Sequence, residues 1–148
     1  QKRALELAEE TIQEIAAELQ ESTGRRLNRA GSDIFCEITY GKYEKVWGDE
    51  KLQLSVVHDG RKIEMHQVSQ GTLEQLHFAL RMAAVKILYE EEYPVILDDT
   101  FVYYDELRIE QTLKWLDKHV GQVLIFTCQK REEEILKKNK ISYHKIEL

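Results

Sequence analysis

Val68-Ser-Gln-Gly-Thr72, a run from Leu73 to Glu90 and then Pro94-Val-Ile-Leu-Asp-Asp99 form the stretch whose order decides the fold. Leu73, Leu76, Leu80, Ala83, Ala84 and Ile87 follow helical spacing, and Thr72 with Gln75 has the form of a capping box. The helix is expected to begin near Leu73 and end near Glu90-Glu91-Glu92. Val95-Ile-Leu97 is too short for a helix and apolar throughout, which is what a strand buried on both faces requires. Asp98-Asp99 closes that strand, and in open α/β sheets ligands bind at the carboxyl ends of strands. One carboxylate there can hold Mg²⁺ and a second can orient or deprotonate an attacking water. The alternative is that the pair only ends the strand. Ser69-Gln-Gly-Thr72 likewise offers an anion hydroxyls and free N–H groups, or serves merely as a helix cap.

Working outward, residues 105 to 119 form a second amphipathic helix carrying Leu107, Thr112, Leu113 and Leu116. Gly121 follows, then the buried-type strand Gln122-Val-Leu-Ile-Phe-Thr127, a charged helix from Lys130 to about Lys140, and a last strand from Ile141 to Leu148. Strands alternating with helices of this length imply βαβ units and a parallel sheet. Toward the N-terminus, Ile34 to Met65 reads as short antiparallel strands, with Asp59-Gly60 as a hairpin turn. Ser22 to Ser32 reads as a connection or a frayed helix. Leu5, Ala8, Ile12, Ile15 and Leu19 form a heptad seam, open to two readings: the end of a coiled coil, or a helix packing on its own domain.

The whole is 148 residues with 43% hydrophobic residues, enough for one core, so a single ordered domain is expected. Lys and Arg total 21 against 27 Asp and Glu, a net charge of −6, which gives no overall basic footprint for nucleic acid. Cys36 and Cys128 form no metal-type pair, the five histidines show no i, i+4 spacing, and no run of apolar residues is long enough to span a membrane. The chain begins at Gln1 without a signal-peptide pattern, and is expected to be a cytoplasmic piece of something longer.

The ordered set Val68 to Thr72, helix, Pro94 to Asp99 and Phe101 to Asp105 resembles the C-terminal lobe of the nucleotide-binding head of the ABC-type coiled-coil ATPases. These are the structural maintenance of chromosomes (SMC) proteins, their double-strand-break repair relatives and especially bacterial SMC-like ATPases. The resemblance covers roughly residues 30 to 148. It implies an α/β fold: the C-terminal half of a P-loop NTPase head, a largely parallel sheet with flanking helices, preceded by short antiparallel strands and a coiled-coil stub. Residues 1–29 would be the end of the coiled coil and its connection, and 30–148 the lobe.

Carried across residue by residue, Ser69 and Gly71 match the signature motif that contacts the γ-phosphate of ATP held by the opposite head. Gln70 replaces a glycine found in transport relatives. Arg81 is similar to an arginine common in the coiled-coil branch, with a solvated ion pair as the equal alternative. Asp98 matches the Walker B carboxylate at the Mg²⁺ site. Asp99 falls on the catalytic glutamate position, in an Asp-Asp form resembling the repair branch, and Asp105 on the D-loop aspartate of the head-to-head interface. Cys128 or Gln129 stands where the family has its switch histidine. The phosphate loop G-x-x-x-x-G-K-[ST] is absent; Gly41-Lys42 is followed by Tyr43 and lacks the earlier glycine.

The expected assembly is therefore this lobe, an N-terminal Walker A lobe and a second head in a homodimer, with ATP and Mg²⁺ between them. The lobe alone is expected to be inactive. DNA repair or chromosome segregation is what the resemblance implies, with DNA as a partner that the residues themselves do not show. Two rivals are an autonomous Mg²⁺-dependent phosphoryl-transfer enzyme using Asp98, Asp99 and Asp105, and a non-catalytic coiled-coil interaction domain.

Overall fold

The structure, a computed structural model, describes residues 21–48, 54–89, 91 and 93–147. The heptad seam from Leu5 to Leu19 lies outside them. Helix α1 occupies 21–38. Leu27 and Ala30 are half-buried, and Ile34, Phe35 and Ile38 are fully buried, so the same apolar face continues at helical spacing into the core. Of the two readings of 22–32, a connection or a frayed helix, the structure has a helix, and the strand expected to begin at Ile34 is corrected. β-Branched residues favour strands only weakly, and burial of a helical stripe overrides that preference here. The helix also runs unbroken through residues 29 and 30. It stops where Tyr40 and Gly41 take left-handed φ values of 51° and 75°, with the Gly41 N–H donating to the Cys36 carbonyl at 2.8 Å.

Strands β1 (Lys45–Gly48), β2 (Leu54–His58) and β3 (Arg61–Glu64) make an antiparallel meander in that order. Asp59 and Gly60 have φ of 51° and 70°, the pair of positive values that the hairpin reading requires. Val46 and Val56 point into the core opposite one another. Ser32 on α1 accepts from the Val46 N–H at 2.9 Å and donates to the Asn28 carbonyl at 2.7 Å, pinning the ribbon to the helix.

Helix α2 (Gln70–Leu88) leads to β4 (Pro94–Asp98), then helix α3 (Glu106–His119), β5 (Gln122–Phe126) and helix α4 (Arg131–Lys138). β4 and β5 pair in parallel, Pro94 opposite Gln122 and Asp98 opposite Phe126, with α3 as the crossover. Val95 and Leu97 are buried, but Ile96 is 65% exposed, and Leu124 and Phe126 are exposed on the same strand pair. The strand expected to be covered on both faces is covered on one, because the chain's described helices reach only that side.

The expected last strand is also corrected: 141–147 form none. A strand needs a neighbour to complete its ladder, and this segment instead runs beside α4. There Tyr143 donates to Glu133 at 3.0 Å and Lys145 pairs with the same carboxylate at 3.3 Å. Hydrogen bonds from Lys137, Tyr143 and Lys145 hold the Glu133 carboxyl down at about 2.

Candidate functional site

Ser69, in extended backbone, is the N-cap of α2, and its Oγ accepts from the Thr72 N–H at 3.3 Å. The helix thus begins at Gln70, earlier than a Thr72–Gln75 capping box would have it. Gln75 is buried and turned to other work: its Nε2 donates to the Ile38 carbonyl, and its Oε1 accepts from Arg108, each at 3.2 Å. Gly71 is required by its neighbours. A Cβ there would stand 2.7 Å from the Tyr103 carbonyl oxygen and 3.2 Å from Arg108 Nε, so the first turn of α2 can lie against the loop before α3 only without a side chain.

That loop ends at Asp105, which caps α3 by accepting from the Arg108 N–H at 2.9 Å. The Arg108 guanidinium bonds the same carboxylate through Nη1 and reaches back across the groove. Its Nη2 lies 3.4 Å from Ser69 Oγ and 3.3 Å from Thr72 Oγ1. Ser69, Gly71 and Asp105, far apart in sequence, are therefore gathered around one arginine whose side chain is only 22% exposed. Val102, Tyr103 and Leu107 beside this cluster are exposed apolar residues.

Asp98 ends β4 opposite Phe126, with an exposed side chain. Asp99 takes a left-handed φ of 43°, a conformation that aspartate tolerates better than most residues. Its N–H donates to the Phe126 carbonyl at 3.0 Å, and its own carbonyl accepts from Val102 at 3.4 Å. The turn brings Asp99 to a shallow cleft shared with Thr100, Thr127, Gln129 and Glu132. Of the two switch candidates, Gln129 lines this cleft. Gln129 also borders an adjoining groove, where Cys128 lies with Tyr143 and Ile146. Arg81 is exposed and donates to the His77 carbonyl at 3.4 Å. Among the described residues, no three His, Cys, Asp or Glu side chains are grouped to hold a metal ion, so Asp98, Asp99 and Asp105 do not form a three-carboxylate centre.

Three residues were missed by sequence reasoning. Arg108 had a signal, since Asp105 and Arg108 are i, i+3 at a helix start, a spacing that places side chains together. Arg131 had none: it donates through Nη1 to the Tyr104 carbonyl at 2.8 Å and through Nη2 to the Phe101 carbonyl at 2.5 Å, clamping the loop from the other side. Glu132, buried and bonded by Arg131 Nε at 3.3 Å, sits within a run of three glutamates that composition cannot tell apart. Tyr104 is buried in the same loop, and burial pushes its phenol well above the usual range.

No family model matches the chain. The uncharacterized protein YhaN of Bacillus subtilis is 34% identical over 122 residues, 78% of this chain and 13% of that protein. A DNA double-strand break repair Rad50 ATPase of Archaeoglobus fulgidus is 33% identical over 117 residues, 71% of this chain and 13% of that one. The Pyrococcus abyssi Rad50 ATPase is 28% identical over 119 residues, 78% of this chain and 14% of that one. The chain is homologous to Rad50-type ATPases.

Solved structures give the fold. A chain from work on ATP-driven dimerization and DNA-stimulated activation of SMC ATPases matches with a TM-score of 0.66 at 13% identity, covering 80% of this chain and 76% of that one. The SMC head domain from Thermotoga maritima matches at 0.56 with 20% identity, covering 75% and 40%. The α/β lobe with its parallel strand pair is thus part of an SMC-type head fold, preceded by the antiparallel ribbon. The chain spans 13–14% of the length of the curated relatives it matches.

Proposed function

We propose that this chain is the C-terminal lobe of an SMC-like ABC ATPase head, with 30–148 as the lobe and 1–29 as the coiled-coil end and its connection. The observation that carries the reading is the one-sided sheet. Ile96, Leu124 and Phe126 form an open apolar face on the strand pair that ends in Asp98 and Asp99. A lobe bearing the missing phosphate loop would cover that face and set its phosphates at those carboxylates.

In such a head Asp98 would supply an oxygen ligand to Mg²⁺. One exposed carboxylate suits that ion, which is commonly held by one or two carboxylates with phosphate oxygens and water. Bound there, the ion would neutralise phosphate charge. Asp99 would orient or deprotonate water from the cleft it shares with Gln129. Ser69 and Gly71 would present hydroxyl and N–H donors to the nucleotide of a second head, and Asp105 with the exposed Tyr103 and Leu107 would form the surface between heads. Work in DNA repair or chromosome maintenance is supported by the Rad50-type homology, and a cytoplasmic location belongs to the same proposal. That no three carboxylates are grouped among the described residues weighs against the autonomous metal enzyme.

The test is ATP hydrolysis by this chain alone and mixed with a separately expressed phosphate-loop lobe. Turnover is expected only on mixing, and Asp99→Asn should reduce it by about 10²-fold or more. Hydrolysis by the chain alone, or full activity of Asp99→Asn, would overturn the proposal.

A further inference from the structure

We infer that Arg108 is a positioning residue that makes the signature turn and the D-loop one unit and holds the Ser69 hydroxyl ready to donate to phosphate; the inference rests on the ATPase reading above. The argument is one of donors and acceptors. A serine hydroxyl has one proton and two lone pairs, whereas guanidinium and backbone N–H groups only donate. Ser69 Oγ faces two such donors, the Thr72 N–H at 3.3 Å and Arg108 Nη2 at 3.4 Å. With its lone pairs engaged, its proton is left to donate, to Thr72 Oγ1 at 3.0 Å in this state or outward to an anion.

Arg108 meets the other requirements of a coupler. Its Nε holds the buried Gln75, its Nη1 holds Asp105, and its stem fills the space where Gly71 lacks a Cβ. One planar fork thus spans α2 and the start of α3, a geometry that a lysine, with its single point charge, cannot reproduce. A phosphate arriving at Ser69 would meet a turn already fixed relative to Asp105, which is the benefit of preorganised donors. Movement of either element would move the other.

The experiment uses the head assembled from this chain and a phosphate-loop lobe, titrated with ATP while pairing of heads and hydrolysis are both recorded. Arg108→Met keeps the stem against Gly71 but loses every donor. It is expected to raise the half-saturating ATP concentration about tenfold, with a smaller effect on maximal turnover. Arg108→Lys is expected not to restore the native value. Ser69→Ala added to Arg108→Met should cost less than it does in the native chain, since the hydroxyl it removes is no longer held.

Native behaviour of Arg108→Met, full rescue by lysine, or independent multiplication of the two losses would overturn the inference. Thermal unfolding of each variant separates lost folding from lost positioning, and if Arg108→Met unfolds, the Arg108→Lys comparison decides. If the native head hydrolyses ATP, Asp99→Asn abolishes it and Arg108→Met changes nothing, this inference alone falls. If the native head neither pairs nor hydrolyses, the ATPase reading falls with it.

Discussion

The two faces of the β4–β5 pair differ sharply. On one, Val95 and Leu97 lie under the helices at 6% and 5% exposure; on the other, Ile96 is 65% exposed, with Leu124 and Phe126 open beside it. The residue types are alike, so hydrophobicity does not separate the faces. A parallel sheet is ordinarily covered on both sides, because its crossover helices bury it. The difference teaches that the described helices complete one side of the sheet, and on the reading proposed above another segment or chain covers the other. The strand end carrying Asp98 and Asp99 stands at the seam.

The largest expected effect breaks the covered face. Leu97→Ala should destabilise the lobe by about 2–5 kcal/mol, through lost burial and the cavity left behind. Ile96→Ala should shift stability by no more than about 0.5 kcal/mol, as an exposed substitution does. Denaturant unfolding of both variants checks the contrast, and equal losses would mean that the open face is covered within the lobe itself.

Next is Gly71→Ala, which forces a methyl group to within 2.7 Å of the Tyr103 carbonyl unless α2 and the loop separate. Backbone cannot yield as a side-chain tip can, so a loss of about 1–3 kcal/mol is expected, read as a lower midpoint in thermal or denaturant unfolding. Gly31→Ala sharpens the comparison. Its added methyl also meets an atom at 2.7 Å, but that atom is Leu80 Cδ2, the end of a flexible side chain, and a smaller loss is expected.

Much of this fold was legible because its signals are local. β4 and β5 follow from short apolar runs bounded by turns, α3 from its spacing and Asp105, and the hairpin from Asp59-Gly60. What failed depended on distant partners. Ile34 and Ile38 look like strand residues until α1 is seen packing on α2 with Gly31 against Leu80. Residues 141–147 have an apolar pattern but no described neighbour to pair with, and Glu133 draws them to α4 instead. The candidate site divides the same way. Ser69, Gly71, Asp98, Asp99 and Asp105 are found by motif and Arg108 has a local signal in its spacing from Asp105, whereas the reach of Arg108 to Ser69 and of Arg131 to Phe101 is displayed only by the folded chain.

The central claim is that a second lobe covers the open face of the sheet. Its most direct test is the dissociation constant between this chain and a separately expressed phosphate-loop lobe, measured for the native chain and for Phe126→Asp. A charge placed on a buried apolar interface should weaken binding at least about thirtyfold, while the unfolding midpoint of the isolated lobe stays near its native value. Equal affinity of the two chains would contradict the account, because the second lobe would then be docking somewhere other than the open face.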